Sequence, residues 1–125
     1  MCMSTILLSI KPEYVRRILE GSKRFEFRRQ MAKRKVERIL IYSTAPEMKV
    51  VASVEVLGVL KDSPKKLWEI THTYAGISRQ KFMGYFSNRM VAYAYRLGKL
   101  QKFDTPKKLA EYGITAAPQS FVYIE

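Results

Sequence analysis

The sequence predicts an α+β fold: a mixed β-barrel of about six strands with short flanking helices. Three observations predict it. Apolar runs of strand length recur along the chain, at residues 4–10, 38–44, 49–60, 90–103 and 121–124. Helix signals fall between these runs as short pieces with Pro or Ser starts, never as one long periodic stretch. The hydrophobic period also switches from helical spacing to two just after Gly21. A chain of 125 residues fits one domain, residues 1–125, with one modest core.

Residues 4–10 read as a buried first strand. Pro12 suits the first position of a helix, where its missing N–H costs nothing. Val15, Ile18 and Leu19 form an apolar i, i+3, i+4 stripe, with Arg16, Arg17 and Glu20 facing water. Gly21 ends that helix, because glycine reaches the left-handed region without a side-chain penalty. From Lys23 the period is two. Phe25 and Phe27 share one face of a strand over residues 23–29, and Arg24, Glu26 and Arg28 share the other. Lys23 is in phase with the phenylalanines, but at the strand's first position its stem can curl round the end. Lys23, Glu26 and Arg28 therefore meet at the mouth of a helix-to-strand turn. A carboxylate flanked by bases stays ionised and orients an arginine fork towards a polar partner.

Residues 30–35 lack an apolar period and read as an exposed loop between strands. The cations from Arg28 to Lys35, Lys33 and Arg34 among them, repel one another and gain from meeting phosphates. Residues 38–44 form the next strand, with Ser43 and Thr44 at its end, and Ala45-Pro46-Glu47 turns the chain. Residues 49–60 are apolar on both faces, as a central strand is, and Gly58 marks a bulge or bend. Two stretches share one helix-start design, Asp62-Ser63-Pro64-Lys65-Lys66-Leu67 and Asp104-Thr105-Pro106-Lys107-Lys108-Leu109. Ser63 and Thr105 are suited to N-caps, and Pro64 and Pro106 to the first helical position. The paired lysines oppose the partial positive charge of a helix start.

Leu67, Ile70, Thr71 and Tyr74 define one helical face, and Gly76 ends that helix. Ser78 caps another, whose Phe82, Tyr85 and Phe86 are expected in the core. Trp68 and His72 lie one turn apart. Residues 90–103 form a strand with a bend near Gly98, and residues 113–120 form the loop feeding the closing strand at 121–124.

Composition narrows the function. There are 23 Lys and Arg against 11 Asp and Glu, for a formal charge of +12 and a pI of about 10.0. So small and basic a domain attracts polyanions, and nucleic acid leads among them. No apolar run approaches the ~20 residues that cross a bilayer, and the N-terminus has no secretory pattern. Cys2 is the only cysteine and His72 the only histidine, which excludes an intrachain disulfide and a Cys- or His-cluster metal site. The expectation is a cytoplasmic protein with no metal and no cofactor. Nucleophile elbow, phosphate-cradling glycine loop and dinucleotide fingerprint are all missing. What remains is a cationic cleft around one acid.

Gly21, Lys23, Glu26 and Arg28 fall in the pattern Gly-x-Lys-x-x-Glu-x-Arg after a Pro-initiated helix. With Tyr42-Ser43-Thr44-Ala45-Pro46 and Pro118-Gln119-Ser120-Phe121, this resembles the ASCH domain, a branch of the PUA-like β-barrels. The resemblance spans nearly the whole chain and implies an RNA-associated domain. RNA is then the expected partner, with DNA as the alternative and no membrane. The binding residues are expected to be Lys11, Lys23, Arg24, Glu26, Arg28, Arg29, Lys33, Arg34 and Ser43. Glu26 would accept from an exocyclic amine, Arg28 would donate as a fork, and the lysines and remaining arginines would meet phosphates. One ASCH branch is similar to small amidohydrolases that deacylate N4-acetylcytidine, and Lys23 matches their lysine. Their nucleophilic threonine is replaced here by Glu26, and no later glutamate appears between Thr71 and Lys81. No catalytic residue is assigned, except Lys23 under that alternative.

Overall fold

The computed structural model describes residues 3–125; Cys2 lies outside the described residues. Its elements are β1 (Ser4–Ile10), α1 (Pro12–Glu20), β2 (Phe25–Arg28), β3 (Val36–Ser43), β4 (Lys49–Asp62), α2 (Pro64–Thr71), α3 (Arg79–Tyr85), β5 (Ala92–Lys107) and β6 (Phe121–Ile124). Short 3-10 turns cover His72–Tyr74 and Leu109–Tyr112. The six strands make one mixed sheet in the order β2-β5-β4-β3-β1-β6. β1 runs parallel to β3, and the other neighbours are antiparallel. The α+β class and the strand number are as expected. The closed barrel is not: β2 and β6 are the two edges of an open sheet.

Local chemistry sets the helix ends. Pro12 occupies the first turn of α1, and Gly21 closes it at φ 89°, with the Lys23 and Ser22 amides donating to Arg17 O at 3.1 Å. Ser63 Oγ accepts from the Lys66 amide at 3.3 Å, and Ser78 Oγ from the Lys81 amide at 3.2 Å, so both caps form as read. Gly58 does stand at an irregularity, where the β4–β5 register shifts between Val56 and Gly58.

Two further expectations fail. The second helix start is absent, because β5 runs on to Lys107, which pairs with Val50. Only Tyr93–Arg96 of β5 pair with β2, so the far end of β5 is a sheet edge. There Pro106 removes no needed donor from the ladder, and proline is tolerated. The expected face of Leu67, Ile70, Thr71 and Tyr74 is also broken. α2 stops at Thr71 and the tighter turn over His72–Tyr74 rotates the chain. Leu67 and Thr71 are buried, whereas Ile70 and Tyr74 are exposed.

The core lies on both faces of the sheet. One side packs α1 through Val15 and Ile18 onto Ile6, Leu8, Ile39, Ile41, Val54 and Tyr95. β2 and β5 carry a second cluster of Phe27, Ala92 and Ala94 with Leu67, Ala75, Phe82 and Phe86. A third joins Leu7, Leu40, Tyr42 and Val50 to the C-terminal turn and β6. β2 lies at the rim, where the first two clusters adjoin, and its side chains open into a cleft. No described helix is long and apolar enough to cross a membrane.

Candidate functional site

The cleft has a volume of about 480 Å³ and is lined from four directions. The end of β1 gives Ser9 and Ile10, and the start of α1 gives Lys11, Glu13 and Tyr14. The signature segment gives Lys23, Glu26, Phe27 and Arg28, and the α3 region gives Ile77, Lys81 and Tyr85. It is the size of a small-ligand pocket.

Glu26 and Arg28 stand two residues apart on one face of β2, and the pleat brings them together. Arg28 donates from Nε at 3.0 Å and from Nη2 at 2.7 Å, both to Glu26 Oε2. Nη2 also donates to the Ser9 carbonyl at 3.1 Å, tying β2 to β1. Glu26 Oε1 and Arg28 Nη1 have no hydrogen-bond partner among the described residues. The pair thus leaves one acceptor and one donor unused in a site where Glu26 is only 6% exposed.

Lys23 curls round the strand end, as its position allowed. Its side chain is 4% exposed. Nζ donates to Ala75 O at 2.8 Å and lies 4.8 Å from the Phe27 ring centre and 5.4 Å from that of Tyr14. Burial pulls the amine down to about 8; Glu26 opposes that shift, and Arg28 and Arg17 add to it.

The sequence-predicted residues divide here. Lys11, Lys23, Glu26 and Arg28 meet in the cleft. Arg29 stands at its rim, with Nε donating to Tyr85 O at 2.8 Å and the guanidinium 4.3 Å from the Tyr85 ring centre. Arg24 lies outside, over the Tyr74 ring at 4.0 Å. Lys33 is exposed in the loop before β3. Arg34 is exposed there too, stacked on Tyr123 and paired with Glu125 at 3.1 Å. Ser43 is wholly buried at the end of β3, does not line the cleft, and its Oγ has no partner among the described residues.

Tyr14, Lys81 and Tyr85 line the cleft as well, beyond the residues expected from the sequence. The i, i+3 spacing of Lys11 and Tyr14 and the i, i+4 spacing of Lys81 and Tyr85 were available signals. Tyr85 was expected in the core with Phe82 and Phe86. Those two are buried, but Tyr85 is half-buried and faces the cleft.

A family model described as ASCH domain matches residues 8–103. The chain superposes on the crystal structure of ASCH from Zymomonas mobilis with a TM-score of 0.89 and 26% identity, covering 98% of this chain and 88% of that one. An "ASCH domain-containing ribonuclease" of Zymomonas mobilis is 29% identical over 92 residues, which is 73% of this chain and 62% of that protein. The "ATP synthase subunit alpha" of Ureaplasma parvum is 29% identical over 122 residues, 97% of this chain but 15% of that protein. The chain therefore spans less than two thirds of either curated relative.

Proposed function

The chain belongs to the ASCH domain family, and from that premise we propose that its cleft binds single-stranded RNA, one base at a time at Glu26 and Arg28. The observation that carries this is the half-used ion pair. Arg28 takes up only Oε2 of Glu26, which leaves Oε1 of the acid and Nη1 of the arginine for a ligand. Base edges present that same complement. Tyr14 and Phe27 give the site flat apolar walls, and the net charge of +12 supplies attraction for the phosphates. RNA is preferred to DNA because one relative is named a ribonuclease. The whole of residues 1–125 is taken as one such domain.

The test is a titration with RNA and DNA oligomers across salt. With about five phosphates contacted, log affinity for a single strand falls against log salt with a slope near −3.5. A slope near zero, or no binding at low salt, removes the proposal.

A second reading, cleavage of the bound RNA, is favoured by Lys23. An amine titrating near 8 is partly neutral at neutral pH and can act as a general base. It would accept the proton of a 2′-hydroxyl, whose oxygen attacks the adjacent phosphorus while the 5′ oxygen leaves and takes a proton back. Arg28, Lys11 and Lys81 supply cations for the charge that develops. This reading requires a strand with 2′-deoxy linkages to resist and Lys23→Met to be inert. The deacylase alternative finds less support: the aliphatic hydroxyl lining the cleft is Ser9, whose Oγ donates to Pro118 O at 2.8 Å.

A further inference from the structure

A second depression lies beside helices α2 and α3. It has a volume of about 330 Å³ and is lined by Lys65, Trp68, Glu69, His72, Arg79 and Met83. Trp68 is half-buried; its ring centre lies 5.1 Å from that of Phe82, a wholly buried core residue, and 6.1 Å from that of His72. Phe82 in turn meets Phe27 edge-on at 4.9 Å, and Phe27 lies beneath Lys23 in the cleft. The two depressions are therefore joined through the aromatic contacts of Phe82.

Helix α3 joins them over the top. Lys81 and Tyr85 face the cleft, while Arg79 and Met83 face the groove. A helix is about 10 Å across, so a few nucleotides of a single strand suffice to cross it. Cations mark the whole route. Arg29 and Lys81 stand at the cleft, Arg79 on the crossing, and Lys65 at the groove with Lys66 in the same turn, against Glu69 alone. Neither α2 nor α3 carries an acid in its first turn.

We propose that the Trp68 groove is a second base-stacking subsite, occupied by a later nucleotide of the same RNA strand that enters the Glu26–Arg28 cleft. The inference rests on the RNA reading of the cleft. Trp68 and His72 offer π surfaces that accept any base, and Lys65 and Arg79 hold the flanking phosphates. The groove adds affinity and length dependence; the choice of base stays with Glu26 and Arg28.

Trp68 is the only tryptophan, so its fluorescence reports this groove. The full chain is titrated with a nucleoside monophosphate, a dinucleotide and an oligomer of about ten nucleotides. Fluorescence is expected to change with the oligomer and not with the two short ligands. Exposed His72→Ala with Arg79→Ala should weaken the oligomer by about tenfold or more and leave the monophosphate unchanged. If the oligomer binds with fluorescence and double-variant affinity unaltered, the groove is not a subsite, and the cleft reading stands. If the monophosphate alone produces the full fluorescence change, Trp68 is reporting the shared aromatic stack, and the proposal falls. Should no oligomer bind at all, the cleft reading fails and takes the groove with it.

Discussion

Gly76 packs against the stem of Lys23 so closely that a Cβ built on it would overlap Lys23 Cβ and Cγ. Three successive carbonyls of this turn accept bonds of 2.8 Å from α1 and the signature segment: Tyr74 O from the Arg24 amide, Ala75 O from Lys23 Nζ and Gly76 O from Arg17 Nη1. The turn thus packs against Lys23 and holds it in place.

Gly76→Ala meets both that overlap and a backbone φ of +64°. The expected cost is about 2–4 kcal/mol of stability. Urea unfolding measures it, and an unchanged midpoint would show that the turn has room to withdraw from Lys23.

Glu26→Gln removes the charged acceptor while keeping the shape. One oxygen remains to accept from Arg28, so the fold should survive with a loss of about 1–2 kcal/mol. Binding should fall, and the Lys23 amine should titrate lower still, since Glu26 is the group that raises it. Thermal melts and RNA titrations are run against exposed Glu20→Gln. If both variants bind as the wild type does, the Glu26–Arg28 pair is structural only.

Lys23 makes stability depend on pH. Its folded value of about 8 lies below the ordinary 10.5 that it regains on unfolding. Between these values the unfolded chain binds more protons, so stability from this group rises with pH. Below about 8 the cost of burying the charge is fully present, and it is relieved as pH approaches 10.5. The wild type should therefore gain on Lys23→Met by up to about 3 kcal/mol between neutral pH and pH ~10. Urea unfolding of both proteins at the two pH values checks it; a constant difference would mean that Lys23 is not buried as a titrating amine.

Arg28 and Lys33 should fail in different ways. Arg28 lies in the cleft, so Arg28→Ala should flatten discrimination between ligands, at a cost of about 1–3 kcal/mol. Lys33 is exposed in its loop, and Lys33→Ala should weaken all ligands alike and reduce the salt slope by less than about one unit. Equal effects on discrimination would place base readout elsewhere.

Features set by near neighbours in the chain were legible from the residues alone. Pro12 and Gly21 bracket α1, Ser63 and Ser78 cap α2 and α3, and a period of two sets Glu26 and Arg28 on one face of β2. The net charge, readable without any fold, pointed to polyanions. Which cations meet the acid depends on segments far apart in the chain. Lys23 is buried because a turn 52 residues away offers Ala75 O, and Ser43 is sealed in the core while Lys81 and Tyr85 reach the cleft. Pro106 misled for the same reason: whether a proline starts a helix or sits at a sheet edge depends on whether a strand pairs beside it. Backbone periodicity and caps report interactions within a few residues. Burial, carbonyl partners and strand edges are set by segments that meet only when the sheet assembles.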